Sequence, residues 1–116
     1  MPFRIFHNPR CSKSRAALAL LTDAGVDIDV VRYLDTPPDA ATIESLLAAL
    51  DTPPATLVRA KEARQLDIAT QLDGADIATI AELLAAHPAA IERPIVVAPD
   101  GRAMLGRPPE RIKELL

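Results

Sequence analysis

The sequence predicts an α/β fold in which helices cover a four-stranded mixed sheet. Two observations indicate it: the chain opens with a strand, a helix and a strand, and it closes with two strands and a helix, with helical segments between. Strands joined by a helix run parallel with a right-handed crossover, whereas strands joined by a short turn run antiparallel. A length of 116 residues provides one hydrophobic core, so we expect a single domain over residues 1–116.

The opening strand–helix–strand unit spans residues 2–34. Residues 2–6 alternate in hydrophobicity, which predicts a short strand. From Ser12 onward the apolar residues recur at helical spacing, and Gly25 is a natural helix end. Residues 26–34 alternate again and are rich in β-branched side chains, so they predict a second strand parallel to the first.

A helical insertion follows the second strand. Asp39, after two prolines, begins a helix whose apolar residues follow the i, i+3, i+4, i+7 spacing of a buried stripe. These residues are Ile43, Leu46, Leu47 and Leu50. Asp76 is placed to cap a second helix, which ends before His87. Between the two helices, a turn around Leu57 and the polar stretch 59–74 predict short or irregular helices.

The last third of the chain predicts a β-hairpin and a terminal helix. Residues 95–98 are an apolar strand, residues 99–102 carry a turn signal, and residues 103–105 pair back against the strand. Pro108 or Pro109 then begins a helix. Its apolar side consists of Ile112, Leu115 and Leu116. A parallel pair and an antiparallel hairpin in one sheet are the arrangement of a thioredoxin-like domain.

Composition and charge argue against several classes of function. The net charge of −3 disfavours a nucleic-acid partner, since domains that bind the phosphate backbone present a basic face. The sequence has no apolar run of about 18 residues and no signal-peptide pattern, so we expect no membrane partner and a cytoplasmic location. One cysteine and two distant histidines give no metal-ligand spacing, so we expect no metal site.

Cys11, the only cysteine, lies where the loop after the first strand meets the first helix. The unpaired N–H groups and positive dipole end of a helix N-terminus favour a thiolate and attract anions. Four side chains close in sequence would add positive charge: His7, Arg10, Lys13 and Arg15. The bland alternative is a buried, unreactive Cys11 among solvated cations, but this position favours a reactive thiol. Because no second cysteine exists, a redox cycle at Cys11 needs a sulfur from another molecule.

Several motifs keep a fixed order along nearly the whole chain. They are the run His7-Asn8-Pro9-x-Cys11-x-x-Ser14-Arg15, then Arg59, the segment Arg93-Pro94-Ile95-Val96-Val97 and the segment Gly106-Arg107-Pro108-Pro109-Glu110. In these motifs the chain resembles the glutaredoxin-coupled arsenate reductases of the thioredoxin superfamily. The resemblance implies that Cys11 is the nucleophile that attacks arsenate, and that Arg59, Arg93 and Arg107 surround the oxyanion. It also implies glutathione as a co-substrate, glutaredoxin as a partner and no bound cofactor.

Four further residues take roles from the same resemblance. It implies that His7 is catalytic and helps to lower the pKa of the thiol, and that Pro94 is the cis-proline opposite the cysteine. It also implies that Asn8 and Ser14 contribute to substrate binding, and a serine hydroxyl is able to donate to a thiolate or an oxyanion. The arginines without a motif match are expected to be surface charges: Arg4, Arg32, Arg64, Arg102 and Arg111.

Two other functions stay open. The related Spx-like regulators, which bind RNA polymerase, typically carry a Cys-x-x-Cys switch, whereas this chain has Cys11-Ser12-Lys13-Ser14. An intramolecular disulfide is therefore excluded, which disfavours the regulator without excluding thiol-independent binding. The other alternative is a glutathione-linked thiol oxidoreductase that acts on a different oxyanion or disulfide.

Overall fold

A computed structural model describes residues 2–116 of the chain. Four strands form one sheet in the order β2-β1-β3-β4. Strand β1 pairs parallel with β2 and antiparallel with β3, and β3 pairs antiparallel with β4. The strands are β1 (Phe3–His7), β2 (Ile28–Arg32), β3 (Ile95–Val97) and β4 (Ala103–Leu105). The predicted four-stranded mixed sheet is confirmed.

Five α-helices and three 3₁₀ segments accompany the sheet in the described part of the chain. The helices are α1 (Ser12–Asp23), α2 (Ala40–Ala49), α3 (Ala60–Gln65), α4 (Ala69–Leu72) and α5 (Ile77–Ala86). The 3₁₀ segments are Pro54–Leu57, Pro88–Ala90 and Pro109–Leu115. The short helices predicted for residues 59–74 are thus α3 and α4.

Alternation along the strands places apolar side chains on both faces of the sheet. Ile5 and Val96 face α1 and the terminal 3₁₀ segment, in a cluster with Leu21. Phe6 and Ile95, their neighbours in sequence, belong to a second cluster with the helical insertion. Because successive side chains of a strand point to opposite faces, β1 and β3 contribute to both clusters. The sheet is therefore covered by helices on both sides.

Two aspartates fix the starts of the long helices in the insertion. The Thr42 N–H donates to Oδ1 of Asp39 at 2.8 Å, and the Thr79 N–H donates to Oδ1 of Asp76 at 2.8 Å. Each carboxylate satisfies an N–H that has no partner within the first turn of its helix. Both predicted helix starts are confirmed.

The terminal segment differs from its prediction. Pro109–Leu115 is a 3₁₀ helix, in which residues three apart share a face. Ile112 and Leu115 are accordingly buried, while Leu116 is 51% exposed. The prediction that Leu116 belongs to the apolar side is wrong, because a turn of three residues rotates it away from the core.

A short ribbon brings the insertion to the sheet. The Arg59 N–H donates to the Ala90 carbonyl at 2.8 Å, and the Glu92 N–H donates to the Leu57 carbonyl at 2.7 Å. Val58 and Ile91 form an antiparallel bridge between these two hydrogen bonds. The ribbon therefore holds Arg59 beside the residues that lead into β3. No helix within residues 2–116 is both long and apolar enough to cross a membrane.

Candidate active site

Cys11 occupies the N-cap position of α1 with an extended backbone and is partly exposed. Its own N–H donates to the Asn8 carbonyl at 3.0 Å, which closes the loop between β1 and α1. Its carbonyl accepts the N–H of Arg15, the first hydrogen bond of the helix. The thiol therefore sits at the end of α1 where N–H groups lack helical partners.

The pKa of the Cys11 thiol lies below its usual value. Burial by itself would raise this pKa, but the backbone N–H groups of Ser14 and Lys13 and the Arg93 guanidinium outweigh it. The predicted effect of the helix N-terminus is present, while the side chains of Arg10, Lys13 and Arg15 are exposed. Arg93, which is 82 residues further along the chain, provides the neighbouring positive charge.

His7 and Ser14 form a buried pair behind the cysteine loop. His7 Nδ1 lies 2.6 Å from Ser14 Oγ, and the Asn8 N–H donates to the same oxygen at 3.0 Å. Since Ser14 Oγ accepts the Asn8 N–H, its own hydrogen is available to donate to Nδ1 of neutral His7. The Ser14 hydroxyl is thus committed to the loop, and its backbone N–H is the group that faces the thiol.

The pKa of His7 is lowered, chiefly by burial and further by the charges of Arg32 and Arg15. A neutral imidazole supplies no positive charge to the thiolate. The structure therefore supports a positioning role for His7, in which the ring holds Ser14 and the loop that carries Cys11. Asn8 adds to this loop because its Oδ1 accepts the Arg10 N–H at 3.0 Å.

The three arginines of the motifs meet around the carboxylate of Glu92. Glu92 Oε1 lies 3.6 Å from Arg107 Nη1, and 4.0 Å from both Arg93 Nη1 and Arg59 Nε. Arg59 is also paired with Glu62 at 2.9 Å, and Arg107 Nη1 donates to the Arg93 carbonyl at 3.2 Å. Residues 59, 93 and 107 thus converge in space although long segments separate them in the sequence.

Arg93 carries hydrogen-bond donors without partners. The side chain is 14% exposed. Its Nε and Nη1 atoms are buried and have no hydrogen-bond partner among the described residues. An orphaned donor of a charged group is costly, so such groups are normally paired. The Arg93 guanidinium acts on the Cys11 thiol by its charge and by a hydrogen bond. An oxyanion bound at this guanidinium would satisfy the two free donors close to the thiol.

Both arginines that flank the hairpin precede cis-prolines. The Arg93–Pro94 peptide bond is cis, as the resemblance implies for this position, and so is Arg107–Pro108. Gly106 packs on Pro94: its N–H donates to the Pro94 carbonyl at 2.9 Å, and a Cβ there would lie 2.8 Å from Pro94 Cγ. The glycine therefore permits the close approach that sets Arg93 and Arg107 side by side.

Comparison with known proteins decides the family. The family model described as ArsC family matches residues 6–115. The chain belongs to the ArsC family. An arsenate reductase of Neisseria meningitidis serogroup A is 43% identical over 114 residues, which cover 97% of each chain. The resemblance to the arsenate reductase family, inferred from the sequence motifs, is thereby confirmed.

Two solved structures share the fold over nearly their full length. The arsenate reductase from Vibrio cholerae superposes with a TM-score of 0.88 at 38% identity, covering 100% of this chain and 98% of that one. A putative arsenate reductase from Yersinia pestis gives a TM-score of 0.84 at 40% identity, with coverage of 97% and 98%. The predicted thioredoxin-like fold is confirmed.

Tyr33 is a residue of this ArsC site that the sequence prediction missed. It follows β2 and is 2% exposed. Burial raises the pKa of its hydroxyl, against the opposing effects of Arg93, Arg59 and the Asn8 side chain. The phenol therefore lies within reach of the arginines and the cysteine loop and remains protonated at neutral pH. The alternating pattern of residues 26–34 placed Tyr33 on a strand but gave no sign of a polar role.

The arginines expected at the surface of this ArsC chain divide into two groups. Four are exposed, in agreement with the prediction: Arg4, Arg32, Arg64 and Arg102. Arg4 pairs with Asp29, and Arg102 pairs with Asp100. Arg111 is 29% exposed, and its Nη2 lies 2.6 Å from Asp51 Oδ2, so its charge lies at the surface in a partly buried ion pair. Its guanidinium ties the terminal 3₁₀ segment to the end of α2. Among residues 2–116, no cluster of three or more His, Cys, Asp or Glu side chains is arranged to hold a metal ion.

Proposed function

We propose that this ArsC-family chain is an arsenate reductase in which Cys11 is the nucleophile. The observation that carries the proposal is the Arg93 guanidinium, which lowers the pKa of the Cys11 thiol and has two buried donors without hydrogen-bond partners. Related proteins named arsenate reductase, at 43% identity over nearly the whole chain, support arsenate as the substrate. Arsenate is a tetrahedral oxyanion, the class of ligand that guanidinium groups bind with paired hydrogen bonds.

The first chemical step is an attack of the Cys11 thiolate on the arsenic atom. An S–As bond forms, an As–O bond breaks, and the oxygen leaves as water after taking up protons. Arg93, with Arg59 and Arg107, orients the anion and offsets the charge that develops on its oxygens. The N–H groups at the start of α1 stabilise the thiolate before the attack.

The reduction needs two electrons, and Cys11 alone cannot supply them. The glutathione thiolate attacks the Cys11 sulfur of the thiol–arsenate adduct, and an S–S bond forms. The S–As bond breaks and its electron pair goes to arsenic, so As(V) becomes As(III). Arsenite takes up protons from water and leaves, and Cys11 and glutathione remain as a mixed disulfide. Thiol exchange with glutaredoxin then restores the Cys11 thiol. The single cysteine of the sequence supports this dependence on external thiols. A cytoplasmic location suits the proposal, because the cytosolic glutathione pool is reducing.

A coupled assay tests the proposed activity. The chain is mixed with arsenate, glutathione, glutaredoxin, glutathione reductase and NADPH, and absorbance at the NADPH band is followed. We expect arsenate-dependent NADPH consumption that Cys11→Ser abolishes. No turnover above the Cys11→Ser background would refute the proposal, and reaction with glutathione disulfide in that case would identify a different thiol oxidoreductase.

A further inference from the structure

We infer that Glu92 determines how tightly the site binds an oxyanion and how strongly it prefers doubly charged over singly charged anions. This inference rests on the proposed function, because it assigns a role to a residue of the same site. Glu92 stands immediately before Arg93, and its side chain is 20% exposed. Its Oε1 lies within 4.0 Å of all three arginines.

The contacts of Glu92 with the arginines are too long for hydrogen bonds. The three N···O separations are 3.6 to 4.0 Å, whereas an N–H···O hydrogen bond has a separation of about 2.7–3.2 Å. The hydrogen bond that Oε1 does accept is from the Arg93 backbone N–H, at 3.1 Å. Glu92 therefore attracts the three guanidinium groups by charge and does not itself occupy their hydrogen-bond donors.

The same carboxylate opposes an incoming anion. Three arginines against the carboxylates of Glu62 and Glu92 leave one net positive charge in the cluster. An oxyanion bound by the three arginines would lie close to Glu92, and like charges at such distances repel, more strongly in a partly buried site than in water. Glu92 thus keeps three like charges together at the expense of affinity for the ligand.

The charge on the ligand provides a sharp test. The repulsion by one carboxylate is proportional to ligand charge, so neutralising Glu92 should favour a dianion more than a monoanion. Sulfate and perchlorate are tetrahedral ions of similar shape that carry two charges and one charge respectively. The protein used is Cys11→Ser, which lacks the thiol, so binding is measured without turnover.

The experiment is calorimetric titration of sulfate and of perchlorate into the Cys11→Ser protein and its double variants. We expect Glu92→Gln to tighten sulfate binding about tenfold and perchlorate binding about threefold, since the Coulomb energy doubles with ligand charge. Glu92→Asp keeps the charge and should leave sulfate affinity within about twofold of the parent. Arg93→Ala should abolish the binding, which locates it at this site.

Two glutamates serve as matched controls for the loss of one negative charge. Glu44→Gln changes an exposed carboxylate on α2, outside the cluster, and should leave both affinities unchanged. Glu62→Gln removes the partner of Arg59 alone and should have a smaller effect than Glu92→Gln. Thermal unfolding of each variant shows whether it is folded.

The outcomes separate this inference from the proposed function. Sulfate binding that is unchanged or weakened in folded Glu92→Gln, or an equal gain for sulfate and perchlorate, would overturn the inference and leave arsenate reduction untouched. An affinity gain in Glu92→Gln without arsenate turnover by the parent chain would refute the reductase and support the role of Glu92 in anion binding.

Discussion

His7 Nδ1 and Ser14 Oγ are 2.6 Å apart and both residues are buried, so the strand before the cysteine loop is tied directly to the helix after it. The Asn8 N–H, on the same hydroxyl, closes the arrangement. The loop that carries Cys11 is therefore held from behind by neutral groups. The positive charge that favours the thiolate comes from the helix N-terminus and from Arg93, which is distant in the sequence.

The neutral state of His7 makes folding sensitive to acid. Its pKa in the folded chain lies below the ordinary value of 6.5, so as the pH falls below 6.5 the unfolded state binds a proton that the folded state does not. The free energy of unfolding should therefore decrease towards acid pH, by at most about 1.4 kcal/mol per pH unit from this one group. Urea unfolding of the parent and of His7→Gln is followed between about pH 5 and pH 8, the range in which histidine titrates. The difference between the two pH dependences is the contribution of His7.

Comparison of the parent protein with its histidine variants isolates the contribution of His7 to the pH dependence of stability. His7→Gln should remove this part of the pH dependence, whereas His87→Gln, at the end of α5, should retain it. An identical pH dependence in the parent and His7→Gln would show that the imidazole is not buried in its neutral form.

Arg93 should control the reactivity of Cys11. Its guanidinium and the helix N–H groups lower the thiol pKa, so alkylation by iodoacetamide should rise with a midpoint below the ordinary value of 9.0. Removing the opposite charge in Arg93→Ala should raise the midpoint towards that ordinary value. Arg102→Ala, an exposed arginine in the hairpin, is the control and should leave the midpoint in place. A midpoint unaffected by Arg93→Ala would contradict the assigned cause.

The three clustered arginines should each matter to oxyanion capture. We expect Arg59→Ala, Arg93→Ala and Arg107→Ala to weaken it by about 2–4 kcal/mol each, because each removes a charged hydrogen-bond donor from a partly buried site. Arg102→Ala should change kcat/KM for arsenate little. The measurement is steady-state kinetics in the coupled assay. If Arg102→Ala proved as damaging as the others, the division between site and surface arginines would be wrong.

Gly106 should be required for the fit between the two arginine-bearing segments. A methyl group there would lie 2.8 Å from Pro94 Cγ and 3.4 Å from Ile112 Cγ2. Gly106→Ala should destabilise the fold by about 1–3 kcal/mol through overpacking and should also weaken sulfate binding, since Pro94 directly follows Arg93. Thermal unfolding and calorimetry measure the two effects.

Gly101 provides the control for that substitution. It has a φ of +94° in the hairpin turn, and a Cβ there would touch nothing. Gly101→Ala should therefore destabilise the fold through backbone strain and leave sulfate binding intact. Equal sulfate binding by folded Gly106→Ala and by the parent would contradict the proposed coupling.

Local signals in the sequence predicted most of the fold. Asp39 and Asp76 predict helix starts because each carboxylate accepts an N–H only three residues further along the chain. The apolar residues of β1 and β3 predict that both faces of the sheet are buried. The type of the terminal helix was harder to predict, since Ile112 and Leu115 lie on one face both of a 3₁₀ helix and of an α-helix. Leu116 was assigned to the wrong side for that reason.

The site was predictable only in part because its contacts are distant in sequence. The motifs identified Arg59, Arg93 and Arg107, but nothing local to Glu92 shows that all three converge on its carboxylate. The same holds for Arg111, whose partner Asp51 is 60 residues away. Such pairings depend on the tertiary fold and have no signature in composition or periodicity.

The central claim, that Cys11 itself takes part in the reduction, is tested most directly by a single turnover with arsenate and glutathione in the absence of glutaredoxin. Arsenite and the Cys11–glutathione disulfide are quantified together, the latter by mass spectrometry of the intact chain, with a reaction lacking arsenate as the control. The account predicts equal amounts of the two products in the parent and neither product in Cys11→Ser. Arsenite formed by Cys11→Ser at the rate of the parent, or arsenite without the mixed disulfide, would contradict it.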